Sequence, residues 1–315
     1  MVDSSAILCA VLPVYLIIGT GWFLRRTHFL SRAADATLLS LTINVLTPCL
    51  ALDSMLGNRA LQNVGATLSA PFLGMGSILF GMAVCFVLAP LAGLKKGPEQ
   101  RTFAVSAGIY NWSYLALPVV LALYGKETVG VLFVYNLGLE ITLWTVAIMV
   151  ISGGAPGQSW RRLFNPPVLA ILISLILNLL HGENWIPRPL LSANHMLGTC
   201  AFPLGLMLVG ATLYDHTRTG IFRGSVRTGL LGCVLRVGIL PLGMLALAHA
   251  LPLTPELKAV LLVQAAMPSA VFPILMAQHY GGSPVTALRV VLATSIAGIV
   301  TIPFWVRLGQ VWLMR

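Results

Sequence analysis

Residues 60–94 read ALQNVGATLSAPFLGMGSILFGMAVCFVLAPLAGL, a run without a charged side chain. About 20 apolar residues cross a bilayer as a helix, because ~30 Å of hydrocarbon is spanned at ~1.5 Å per residue. The run is therefore a membrane span with its flanks. Working outward, the same reading applies to most of the chain. Of its 315 residues 57% are hydrophobic and only 9% charged, against roughly 25% charged in a soluble chain. Such a chain needs lipid as its solvent. Its spans must be helices, since lipid offers no partner to a bare backbone, and the polar alternation of a closed barrel is missing.

The spans fall roughly at 6–24, 37–56, 65–93, 102–123, 128–152, 166–182, 194–213, 226–250, 257–279 and 285–306. They leave no room for a soluble domain. The five cysteines (Cys9, Cys49, Cys85, Cys200, Cys233) each sit in an apolar run, without metal-ligand spacing or a disulfide framework, and read as small buried hydrophobes. The six histidines are dispersed, so no metal site is expected, and no cofactor either. No nucleophile elbow, phosphate loop or zinc helix occurs, which argues against an enzyme and against an ATP-driven pump.

The net charge of +10 raises nucleic acid as a partner. The basic residues, however, sit in short loops with no basic helix face, and loop charge of that kind sets topology. With the N-terminus outside, inner loops carry Arg25, Arg26, Arg32, Lys95, Lys96, Arg101, Arg161, Arg162, Arg218, Arg223 and Arg227. Outer segments carry Arg59, Lys126, Arg188, Lys258, Arg307 and Arg315. Eleven against six favours both termini outside a cell membrane. Nothing basic precedes the first apolar run after Met1-Val2-Asp3, so a retained first span is expected rather than a removed leader.

Ten spans divide as five plus five around a connector at 153–165, giving repeats at 1–152 and 166–315. An odd number of spans per half inserts the second half upside down. Span four contains ALPVVLALYG at 116–125, and span nine contains VFPILMAQHYG at 271–281. Each has a proline followed six or seven residues later by Tyr-Gly. Interrupted helices at matching places in inverted halves point to a transporter site. Polar residues gather there, with Asn111 near Pro118, and Gln264 and Ser269 near Pro268 and Pro273.

A broken helix presents a half-helix N-terminus, roughly half a positive charge with free N–H groups, at which an anion is favoured. The plain alternative is a proline kink whose polar neighbours bond their own helix. Glu140, near the middle of span five, reads as a proton or cation coupling site or as a structural hydrogen bond to a neighbouring helix. Arg236 in span eight balances Glu140, faces an anion path, or snorkels to the surface. Asp53 reads as interfacial.

In order and spacing these features resemble the auxin efflux carrier family, whose bacterial members include malonate and malate permeases. The resemblance covers nearly the whole chain: Asn44 and Pro48; Asn111, Pro118 and Tyr124-Gly125; Asn165-Pro166; Pro203 and Gly210; Arg236 and Pro241; Pro268, Pro273 and Tyr280-Gly281. It implies a fold related to the bile-acid sodium symporters, with helices four and nine broken and crossing at their prolines. It also implies an elevator mechanism in which spans one, two, six and seven form the scaffold, and a small carboxylate as substrate. The expected protein is thus an all-α, ten-helix secondary carrier, with a sodium-coupled symporter of bile-acid type as the nearest rival. A membrane sensor or an intramembrane enzyme lies further off. The bilayer and a small carboxylate are the expected partners, and a homodimer is one assembly open to it.

Overall fold

The computed structural model describes residues 4–154, 164–217 and 226–313. Arg161, Arg162, Arg218, Arg223 and most of the connector lie outside the described residues. Among those described, all regular structure is helical: α1 (Ser4–Arg26), α2 (Arg32–Met55), α3 (Val64–Leu88), α4 (Pro98–Gly108) and α5 (Ala116–Ser152). There follow α6 (Pro166–Leu179), α7 (Arg188–Thr199), α8 (Ala201–Thr217), α9 (Val226–Ala250), α10 (Pro255–Ala266), α11 (Phe272–His279) and α12 (Pro284–Leu313). Six segments are long and apolar enough to cross a membrane: α2, Thr67–Ala92, α5, Arg188–Asp215, α9 and α12. The chain is a multi-pass helical membrane protein.

Span six is shorter than its apolar run suggests. Only 14 residues are helical, because Leu180 leaves the helix and His181 turns left-handed (φ 52°).

Two helices carry a π turn just before a proline, Thr42–Leu46 ahead of Pro48 and Leu235–Ile239 ahead of Pro241. Proline has no N–H to give and crowds the turn before it, and a widened turn makes room for the ring.

Packing sorts the helices into two groups that each draw on both halves of the chain. One is α1, α2, α6, α7 and α8; the other is α3 to α5 with α9 to α12. In the second group α4 and α10 are buried almost throughout, including Gln100, Thr102 and Ser106 on α4 and Gln264 on α10. Within it α3 and α5 approach each other very closely. A Cβ added at Gly138 would sit 1.7 Å from the Pro71 carbonyl oxygen, and one at Gly74 would sit 2.2 Å from that of Tyr135. Only glycine lets these backbones touch. The outer faces of α3, α6 and α12 expose Phe72, Ile176 and Val300, as lipid contact requires.

Among the described residues, ion pairs join helices at two places. Arg25 pairs with Asp35 and, at 3.4 Å, with Asp215, which Arg32 also reaches at 3.1 Å. These join the end of α1, the start of α2 and the end of α8. Elsewhere Asp53 of α2 meets Lys126 of α5 at 3.0 Å and His195 of α7 at 3.1 Å. Asp53 is therefore no mere interfacial residue: it links the two helix groups. Beside it the Asn58 amide donates to the Ser54 and Glu127 carbonyls, both at 2.9 Å. Its backbone exchanges hydrogen bonds with the Asn178 side chain on α6.

Candidate functional site

Between α4 and α5, residues 109–115 leave the helix; between α10 and α11, residues 267–271 do the same. The two gaps meet. Asn111 N–H donates to the Pro268 carbonyl at 2.7 Å, and Ala270 N–H donates to that of Ile109 at 3.0 Å. Tyr110 and Ser269 face each other as an isolated antiparallel bridge. Backbone groups that lose helical partners need others when buried, and each gap supplies them to the other.

Side chains close the crossing. Gln264 Nε2 donates to the Trp112 carbonyl and to Asn136 Oδ1, both at 3.2 Å, and Asn136 Nδ2 donates to the same carbonyl at 3.3 Å. Asn111 Oδ1 accepts Leu115 N–H at 3.3 Å at the start of α5, so its amide N–H groups are left to point elsewhere. Ser269 N–H donates to Thr294 Oγ1 at 3.2 Å. Gln264 Oε1 and Ser269 Oγ are buried without a hydrogen-bond partner among the described residues. A buried polar atom without a partner costs ~1–3 kcal/mol, which makes both atoms candidate ligand contacts.

Two of the three prolines do not sit where a helix fails. Pro118 and Pro273 lie in the first turns of α5 and α11, where no intrahelical N–H is required. They start helices; Pro268 alone lies inside a gap. Both Tyr-Gly pairs place their glycine at positive φ. Gly125 (φ 82°) and Gly281 (φ 74°) are both left-handed, a backbone state that glycine adopts without strain.

Arg236 does not snorkel and does not balance Glu140. It is 0% exposed and lies in the π turn of α9, a device often found at functional sites. Its Nη2 donates to the Ala265 carbonyl at 3.2 Å, at the C-terminal end of α10, and its Cζ lies 5.0 Å from the Tyr110 ring centroid. Its Nε and Nη1 lack partners among the described residues, and no carboxylate there pairs with it. Beneath it Tyr110, Tyr135 and Ser77 hydroxyls form a triangle with sides of 2.7, 2.8 and 2.8 Å.

On the α5 side, Glu140 accepts from Trp144 Nε1, one turn along the same helix, at 2.9 Å. The crossing thus gathers Asn111, Gln264, Pro268 and Ser269, with Arg236 against Tyr110; Glu140 bonds along its own helix instead. Sequence reasoning missed Tyr110, Trp112, Asn136 and Thr294. Asn136, a lone amide within an apolar run, was the available signal.

The protein is thus a helical membrane protein with a polar crossing among its buried helices. The chain belongs to the membrane transport protein family that includes the auxin efflux carriers, whose family model matches residues 6–159 and 155–306. A protein of Methanocaldococcus jannaschii named as an uncharacterized transporter is 21% identical over 301 residues, covering 94% of this chain and 96% of its own. The auxin efflux carrier component 8 of Arabidopsis thaliana is 28% identical over 130 residues, 40% of this chain and 35% of its own length.

Proposed function

We propose that this membrane transport protein is a secondary active carrier of a small organic carboxylate. It binds the anion at the crossing of its fourth and ninth spans and works by an elevator movement. The observation that carries the reading is Arg236, a fully buried cation against the crossing with no carboxylate partner among the described residues. A buried charge left uncompensated is costly, and an anion brought alongside offsets the cost. The half-helix starts at Ala116 and Phe272 add their positive ends, and the free Asn111 amide adds a donor.

On this reading α4 with the start of α5 is one broken span and α10 with α11 the other, in repeats at 1–152 and 166–315. Support comes from interruptions at 109–115 and 267–271, each followed by a left-handed glycine after tyrosine. The two helix groups, one holding α1, α2, α6, α7 and α8, are the stationary and moving parts.

Asn111→Ala is expected to weaken binding of the best ligand among acetate, malonate and malate by about ten- to a hundredfold. A hydrogen bond to a charged group contributes ~1.5–3 kcal/mol, at ~1.4 kcal/mol per decade of Kd. Titration calorimetry on purified protein measures this, and unchanged affinity would move the site away from the crossing. A sodium requirement for uptake would instead favour the bile-acid type of symporter.

The loop charges orient the carrier with both termini outside a cell membrane. Single cysteines near Lys95 are expected to react only with reagents on the cytoplasmic side, and those near Arg59 only from outside. The reverse pattern would invert the topology.

A further inference from the structure

Lys126 and Glu127 directly follow Gly125, whose backbone (φ 82°, ψ 179°) kinks α5 where one span ends and the next begins. Both residues reach across to the other helix group. Lys126 Nζ lies 3.0 Å from Asp53 Oδ2 of α2, and the Glu127 carbonyl accepts from Asn58 Nδ2 at 2.9 Å. The receiving side is fixed within its own group. His195 Nδ1 of α7 meets the same Asp53 oxygen at 3.1 Å. Asn58 also donates to the Ser54 carbonyl and is bonded through its backbone to Asn178 of α6. Gly130, one turn further along α5, completes the seat: a Cβ there would lie 2.2 Å from Asn58 Nδ2 and 2.8 Å from the Ser54 carbonyl oxygen. Among the described residues, the other ion pairs that join helices, of Arg25 and Arg32 with Asp35 and Asp215, stay within α1, α2 and α8, a single group. The matching turn of the second half is also held within its own group. Gly281 is followed by Gly282 where Gly125 is followed by Lys126, and Ser283 N–H donates to Thr102 Oγ1 of α4 at 2.8 Å.

We propose that Asp53 and Asn58 on one side, with Lys126 and Glu127 on the other, are a latch that fixes the resting arrangement of the two helix groups and opens in each transport cycle. The transport part of this rests on the carrier reading above. A latch that opens repeatedly has to be weak. The Lys126 and Asp53 side chains are 50% and 16% exposed, so water can replace each partner. Ion pairs open to water shift an equilibrium by only about two- to fivefold. That is enough to favour one arrangement without trapping it. The latch is also one-sided. Sliding in an inverted repeat would bring the second turn into the role of the first, and Gly282 offers that state no cation for a carboxylate. This asymmetry makes the arrangement with Lys126 on Asp53 the one to which the carrier returns.

A carbodiimide joins a lysine amine to a carboxylate in contact with it as an amide, and arginine forms no such bond. Purified protein treated in this way is expected to yield a peptide cross-linked between Lys126 and Asp53, detected by mass spectrometry. After reconstitution into proteoliposomes, uptake of malonate, acetate or malate should fall in step with the cross-linked fraction. Lys126→Arg, which keeps the ion pair, should transport and should keep its uptake through the same treatment. Lys126→Gln should speed amide hydrogen exchange about two- to fivefold over residues 53–58 and 126–131, whereas Lys126→Arg should match the wild type. The latch is overturned if no cross-link forms, if the cross-linked carrier transports like the untreated one, or if treated Lys126→Arg loses as much uptake. Unchanged exchange in Lys126→Gln overturns it as well. If untreated wild type carries none of the three acids, the carrier reading fails instead, and the exchange comparison still decides whether the pair holds the groups together.

Discussion

Arg236→Gln is expected to cost about 30- to 1,000-fold in affinity for the transported carboxylate. The guanidinium is fully buried beside the crossing, where an effective dielectric of ~20 gives ~2–4 kcal/mol between unit charges ~4–8 Å apart. At ~1.4 kcal/mol per decade this spans that range of Kd. Glutamine keeps a donor for the Ala265 carbonyl but removes the charge. Arg236→Lys keeps the charge and loses the planar face over Tyr110, so it should fall between the two. Calorimetric titration, with thermal unfolding recorded for each variant, separates binding from folding. A folded Arg236→Gln protein that binds carboxylate as the wild type does would reduce the arginine to a tether for the end of α10.

Gly138→Ala is expected to give the largest loss of stability of any single methyl addition named here. The new Cβ would lie 1.7 Å from the Pro71 carbonyl oxygen, a backbone atom that cannot step aside as a flexible side chain can. Overpacking in a core typically costs ~1–3 kcal/mol, and a clash this deep belongs at or above the upper end. The α3–α5 contact would have to part, and α5 carries Asn136 and Glu140. Gly76→Ala on the same α3 is the control, since nothing lies within 4 Å of its added Cβ. There alanine should be neutral or stabilising by up to ~1 kcal/mol, from its better helix propensity. Thermal unfolding in detergent should lower the midpoint of Gly138→Ala and spare Gly76→Ala. Equal midpoints would mean the two helices are less closely packed than their backbones indicate.

What the residues announce in advance is what depends on neighbours along the chain. Apolar length marks the helices, and proline with Tyr-Gly marks the neighbourhood of both gaps. The gap positions themselves are displaced by a few residues, because proline is comfortable in a first turn and the break falls just before it. Partners across the fold are another matter. A helix buried almost throughout, such as α10, has no single apolar stripe to declare which way it turns, so the meeting of Gln264 with Asn136 and the Trp112 carbonyl could not be read from spacing. Arg236 illustrates the same limit. Its distance from the end of an apolar run suggests a side chain that reaches water, whereas the π turn and the Tyr110 ring hold it inside. Asp53 looks marginal until the chain brings Lys126 and His195 to it.

The backbone exchange between residues 109–111 and 268–270 also bears on biogenesis. The first gap is synthesised more than a hundred residues before the segment that satisfies it. Until that segment is inserted, the Ile109 carbonyl and the Asn111 amide have no permanent partner, and lipid provides none. The nascent chain must therefore keep this stretch hydrated at the translocon or hold it provisionally as continuous helix. The site is completed only as the final helices arrive.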